Sequence, residues 1–335
     1  MICFTTWCTV WCPCKLRAQA VADLPRNGEG PTFCDPGIDH KSRSRGLEVS
    51  YDYFAGGPIG GSPGGVVPQE LDRFQRLNVK VKIPLLNKPG FKLLLGYDHQ
   101  PETYAFGNSQ LLSKQSSLFS NIDTRTLNSN GFGIYFLKPI DDRTYVGGRL
   151  KMRLNGDYTG WVNFDQRYAA YNATFLYGVK KSNDFEWGVG AAFSHNFRRT
   201  LALPFIMYNR NFSDKWGLEA VFPAQIQGRY NVDNKTILLF GYEFNSNSYS
   251  VDMPGETLEE PYSVYHFNHS EVQTGISLER RVVPWVWLNA KVGYQWNFNT
   301  RLEATQPEQT SYELRPGNAP YLKLGFFLSP PSHLK

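Results

Sequence analysis

From about Leu47 onward the chain repeats one pattern: segments of roughly ten residues alternate apolar and polar side chains, and turn-forming residues separate them. Residues 285–299 show it best. Val286, Leu288, Ala290, Val292, Tyr294, Trp296 and Phe298 share one parity, while Trp287, Asn289, Lys291, Gly293, Gln295, Asn297 and Asn299 share the other. Successive strand side chains point to opposite faces, so this period of two predicts a strand with one apolar and one wet side. The same holds for Leu77, Val79, Val81 and Ile83 against Asn78, Lys80 and Lys82, and for Val146, Leu150, Met152 and Leu154 against Arg149, Lys151 and Arg153. It holds again for Val272, Ile276 and Leu278 against Glu271, Gln273, Ser277 and Glu279, and less cleanly over 201–212. The predicted strands are 46–55, 73–85, 91–100, 125–138, 143–155, 167–180, 185–196, 201–212, 216–222, 225–232, 236–249, 266–281, 285–299 and 318–328. No amphipathic helix of any length is evident.

The connections carry a second signal. Hairpin-turn compositions stand at Asn87-Lys88-Pro89-Gly90, Asp141-Asp142-Arg143, Ser182-Asn183-Asp184, Ser213-Asp214-Lys215, Asp233-Asn234-Lys235 and near 281–284. Between them lie longer polar connections at about 56–72, 101–123, 156–166, 250–263 and 300–317, with two short ones near 197–200 and 223–225. Short and long connections therefore roughly alternate.

Two architectures use so many amphipathic strands: a soluble sandwich or barrel with its apolar faces inward, and a membrane barrel with its apolar faces on lipid. Three features favour the second. The alternation of connection length matches periplasmic turns and external loops. Charges of both signs stand in mid-strand on the polar faces, among them Lys80, Asp98, Lys151, Glu219, Glu243 and Lys323, as suits a hydrated lumen. Aromatics gather near strand ends, namely Tyr97, Tyr104, Trp161, Tyr168, Trp187, Trp216, Trp285, Trp287, Trp296 and Phe298, as in an interfacial girdle. The expected fold is an all-β, closed, antiparallel up-and-down transmembrane barrel over 46–330, with about fourteen strands and twelve as the alternative count.

Composition agrees. Aromatics make up 15% of the 335 residues, with 19 Tyr, 23 Phe and 8 Trp, which excludes disorder as the main state. No apolar run approaches the ~18 residues of a membrane helix. A formal charge of +5 without a basic block disfavours nucleic-acid binding.

The first twenty residues read as a signal peptide. An apolar stretch from Ile2 to Cys14 precedes Ala18-Gln19-Ala20, although a basic n-region is missing. Four of the 5 cysteines, Cys3, Cys8, Cys12 and Cys14, fall there. A zinc site built on Cys12-Pro13-Cys14 lacks a second ligand pair. Cleavage near Ala20 would leave Cys34 alone. Residues 21–45, rich in Pro and Gly, read as an irregular leader.

The last strand, Asn318-Ala319-Pro320-Tyr321-Leu322-Lys323-Leu324-Gly325-Phe326-Phe327-Leu328, resembles the closing strand of outer-membrane barrels. With the pattern over 46–330, it is similar to an uncharacterised outer-membrane β-barrel family of Gram-negative bacteria, a domain of unknown function. One departure is that Ser329 to Lys335 follow the strand, where this class ends on an aromatic. The resemblance implies outer-membrane localisation and barrel topology, with no defined activity.

Candidate chemistry is sparse. His266, Asn268, His269 and Ser270 supply the residue types of a Ser/His/Asn site, and His195 follows Ser194, but no nucleophile elbow accompanies either. His266 and His269 could share a metal only with ligands from elsewhere. Asp141-Asp142 and Glu259-Glu260 read as solvated turn carboxylates, and the glycines of 56–65 as an external loop. The expected lumen-lining residues are Lys80, Lys82, Arg149, Lys151, Arg153, Glu243, Glu271, Glu279 and Lys291. In a strand, Arg149, Lys151 and Arg153 stand ~6.8 Å apart on one face. They would bias a pore toward anions unless carboxylates on nearby strands neutralise them.

The expected role is a passive pore or transporter for small polar solutes, with no enzymatic activity, cofactor or metal. The alternatives are a non-conducting structural or adhesive barrel and a soluble secreted β-sandwich. Expected partners are outer-membrane lipid, the barrel-insertion machinery and small polar solutes, not nucleic acid.

Overall fold

In the computed structural model, residues 33–61, 69–107, 125–197, 199–257, 260–305 and 311–329 are described. The expected signal peptide with its four cysteines, and the expected leader up to residue 32, lie outside the described residues. The strands in chain order are β1 (Leu47–Gly61), β2 (Gln69–Lys88), β3 (Phe91–Phe106), β4 (Thr126–Pro139), β5 (Thr144–Gly156), β6 (Ala169–Lys180), β7 (Phe185–Asn196) and β8 (Arg199–Asn211). They continue with β9 (Trp216–Phe222), β10 (Gln225–Asp233), β11 (Thr236–Thr257), β12 (Glu260–Val283), β13 (Val286–Ala304), β14 (Ser311–Pro316) and β15 (Ala319–Leu328). The one helical element among the described residues is a 3-10 turn, Gln166–Tyr168.

Consecutive strands from β1 to β14 pair antiparallel, and β15 pairs with β13 and β1. The ring is thereby closed. β14 lies between the same two strands as β15, beyond the break at Gly317-Asn318, so the two are halves of one wall strand and the barrel has fourteen. The seam is long: Leu47 faces Leu328 and Phe54 faces Tyr321 across eight register pairs.

The alternation predicted from the sequence sets the two faces. Ile83, Leu95, Ile134, Leu150, Val189, Ile206, Ile276, Leu288, Val292 and Leu324 are exposed around the outside, with Ile276 at 58%. Glu271 and Arg229, of inward parity, are 1% and 0% exposed. A sheet that shows aliphatic side chains outward and buries charge inward is built for a hydrocarbon surround, not for water. Trp161, Trp216, Trp285, Trp296 and Phe298 are exposed. Tyr104, Tyr168 and Trp287 depart from the expected girdle, because each is covered by protein. Trp287, at 2% exposure, packs with Ile237, Leu239 and Phe327.

Six hairpin turns and both ends of the ring gather at one end. Their side chains close the turns: Asp141 accepts from the N–H of Arg143 and Thr144, and Asp233 from that of Lys235. The Thr144 hydroxyl, with the two N–H groups, holds Asp141 below the ordinary carboxylate value, and the Lys235 N–H does the same for Asp233. Their contribution is complete above that value and is lost as pH falls toward the lowered one.

The longer connections lie at the other end, where the rim is uneven. β6 to β10 have 7 to 13 residues, but β11 and β12 have 22 and 24. The expected loop at 250–263 is mostly strand, because this hairpin continues beyond its neighbours and leans across the opening. Ser250 pairs with Gly156 of β5, and Asn155 donates to the Ser248 carbonyl at 3.0 Å. Residues 56–61 of the expected glycine loop also belong to β1. Gly56 needs its missing side chain there, since a Cβ would stand 1.8 Å from the Leu71 carbonyl oxygen.

The connection 157–168 covers a polar node on β3 and β4. Buried Asn130 accepts from the Tyr97 hydroxyl at 2.7 Å and donates to the Tyr158 hydroxyl at 2.6 Å and the Trp161 carbonyl at 2.8 Å. Trp161 stacks on His99 with centroids 4.4 Å apart.

Val292→Lys, on the outer face of β13, is expected to lower the unfolding free energy by about 2–4 kcal/mol in lipid if it sits near the bilayer midplane. Urea unfolding of the protein in vesicles measures this. An unchanged midpoint would show that this face does not meet hydrocarbon.

Candidate functional site, the barrel interior and its N-terminal strap

Closing fourteen strands leaves an interior that must be filled with water or side chains. Here it holds a stack of ion pairs. Asp98 of β3 pairs with Lys151 and, at 3.1 Å, with Arg153, both on β5. These strands are not neighbours, and the pair reaches over β4 at Gly131, where a Cβ would stand 2.5 Å from the Lys151 Cε. Arg76 of β2 donates to Glu102 at 2.8 Å and to Glu271 of β12 at 3.3 Å. Glu271 also meets His269 at 2.8 Å and accepts from Gln273 at 2.6 Å, and Asn247 of β11 donates to Glu102 at 3.1 Å. Lys291 binds Glu243 at 2.7 Å, Lys323 faces Asp52 at 3.4 Å and Arg229 binds Glu219 at 3.0 Å. A buried charge is stabilised only when paired and hydrogen-bonded, which these contacts supply.

Toward the long connections the filling turns apolar. Ile59, Leu127, Tyr249, Val251, Phe267, Leu302 and Leu314 pack together from β1, β4, β11, β12, β13 and β14.

At the turn end, residues 33–46 form a strap across the mouth. The Cys34 N–H donates to the Asp141 carbonyl at 2.7 Å and the Asp39 N–H to the Asn183 carbonyl at 2.8 Å. The Gly37 N–H donates to Glu186 at 2.9 Å, and Ser42 gives its N–H and hydroxyl to Glu219 at 2.9 and 2.6 Å. Arg45 pairs with Glu48 at 2.7 Å and with Glu279 of β12. Cys34 sits among Leu137, Tyr145 and Leu176, and burial pushes its thiol up to about 11.

The residues expected to line the lumen fall into distinct surroundings. Lys151 and Arg153 meet Asp98, Glu243 meets Lys291, Glu271 meets Arg76 and Glu279 meets the strap through Arg45. Arg149 is 5% exposed, and the Lys82 ammonium lies 5.9 Å from the Tyr135 ring. Lys80 faces a polar cavity of about 90 Å³. Of the row Arg149, Lys151 and Arg153, the last two are thus met by a carboxylate on a strand two steps away. Sequence reasoning did not place Arg76, Glu102 or Arg229 in the site. Arg76 shares the parity of Asn78 and Lys80, which could have revealed it, but Glu102 fell in a segment read as loop.

The Ser/His/Asn candidates do not converge. Ser270 meets the Ser246 hydroxyl at 2.9 Å, whereas His269 is engaged by Thr300 and Glu271. Alternation sends His269 to the face opposite Ser270 and His266. His195 meets Thr200 at 2.8 Å, and Ser194 donates to Asn196 at 3.2 Å. No group of three metal-ligating side chains occurs among the described residues.

Asp98→Asn removes the carboxylate shared by two buried cations. It is expected to destabilise the barrel by about 3–5 kcal/mol in urea unfolding, because it leaves uncompensated charge in the interior. A loss below about 1 kcal/mol would show that water already screens the pair.

Among curated proteins no sequence matches the chain. Three solved barrels are similar in outline. The TodX monoaromatic hydrocarbon channel deltaS2 mutant is 7% identical with a TM-score of 0.38, over 84% of this chain and 90% of that one. A Pseudomonas aeruginosa FadL homologue is 11% identical with a TM-score of 0.38, over 84% and 89%. The P. putida toluene transporter TodX is 8% identical with a TM-score of 0.35, over 85% and 89%. The strand pairing by itself closes the barrel. A family described as "Domain of unknown function (DUF6268)" matches residues 103–329, most of the chain, and the protein belongs to that family.

Proposed function

We propose that the protein is an integral outer-membrane barrel that does not conduct in the state described and that acts as a structural or adhesive element through its longer connections. The apolar exterior fits outer-membrane lipid, and β15, which completes the ring, is the strand the insertion machinery would meet. The observation that carries the reading is the cross-lumen link from Arg76 of β2 to Glu271 of β12, with the strap below it and the apolar cluster above. An open polar pore would leave such cations facing water. In the connection 157–168, Trp161 and Phe164 are 65% and 71% exposed although they stack on His99 and Phe132 and the backbone is anchored on Asn130, a firm apolar surface suited to contact.

A second reading, a passage for small polar solutes, is supported by the polar cavity behind the strap. It requires the strap to leave.

Planar-bilayer recording of refolded protein separates the two. The full chain is expected to be silent, and a form lacking residues 33–45 is expected to be silent too, because the ion pairs and the apolar cluster remain. Steady conductance of the full chain would overturn the proposal, and conductance of the shortened form alone would establish the gated passage.

A further inference from the structure

The polar cavity carries more cations than carboxylates on its own walls. Its walls carry five cations, Arg43 and Arg45 from the strap, Lys80 from β2, Lys291 from β13 and Lys323 from β15. Two carboxylates face them, Glu48 and Glu243. Both are already engaged, Glu48 by Arg45 at 2.7 Å and Glu243 by Lys291 at 2.7 Å. Lys80 makes no ion pair among the described residues. The carboxylates opposite it in register, Glu48 and Asp98, are held by Arg45 and by Lys151 with Arg153. Lys323 has its partner, Asp52, outside the cavity lining. Neutral donors complete the wall, including Gln225, Gln227 and Asn289.

A space of about 90 Å³ admits a few waters or one small solute. Excess positive charge in a confined, weakly screened space favours an anion, and Lys and Arg donors converging from strap and wall suit oxygen acceptors. We infer that this cavity is a binding site for one small inorganic oxyanion of the phosphate class, held by Lys80, Lys323 and Arg43 and bridging the strap to the wall. The occupied barrel gains a strap-to-wall link that the empty one lacks. The site belongs to the closed state and is independent of whether any solute crosses the barrel.

The test uses the refolded full chain in detergent, with inorganic phosphate as the probe and chloride at matched ionic strength as the control. Phosphate is expected to raise the unfolding temperature saturably where chloride does not, and equilibrium dialysis with radiolabelled phosphate is expected to give one bound ion per chain. Lys80→Gln and, on the strap where no strand is at stake, Arg43→Gln are each expected to weaken binding at least tenfold, while Lys80→Arg retains it. Phosphate and chloride acting alike, no bound phosphate in dialysis, or undiminished affinity in Arg43→Gln and any folded Lys80→Gln would overturn the inference. Because binding is read without a conductance measurement, its failure is separate from failure of the functional proposal.

Discussion

A backbone that crosses hydrocarbon has nowhere to place an unpaired N–H or C=O, and this demand governs the rest of the molecule. It requires a sheet without edges, which the β1–β15 seam supplies. Closure then creates a second demand, because fourteen strands enclose more space than a few side chains can fill. The outer face must be apolar, so the alternation of the strands delivers polar side chains to that space. Charges there are tolerable only when matched, and matching across the interior joins strands that are not neighbours. The pairs Arg76–Glu271 and Lys151–Asp98 are cross-braces that follow from closure.

Much of this was legible in the sequence. Period-two alternation and turn chemistry located the wall strands because one face meets lipid along most of each strand. The pattern failed where that condition fails. Asn245 to Val251 are buried on both faces, since the β11–β12 hairpin leaves the wall and packs against protein, so the alternation fades there and the strand predicted to end at 249 in fact continues to Thr257. Trp287 misled for the related reason that an aromatic can fill the interior beside a strap as well as sit at an interface.

The interior residues were only half legible. Parity assigns Lys80, Lys151 and Glu271 to the inner face, but it says nothing about partners across the ring. Asp98 reaches Lys151 over β4 only because position 131 has no side chain, and that depends on register. The sequence therefore displayed a row of cations where the fold contains braced pairs.

The strap runs directly into the first wall strand: Arg45 holds Glu279, and the next residue, Gly46, donates to the Leu328 carbonyl at the seam. Sealing the ring and seating the strap are therefore mechanically coupled. A chain whose first and last strands are still apart has no finished mouth for the strap to lie across, so an occluded interior is also a mark of completed assembly.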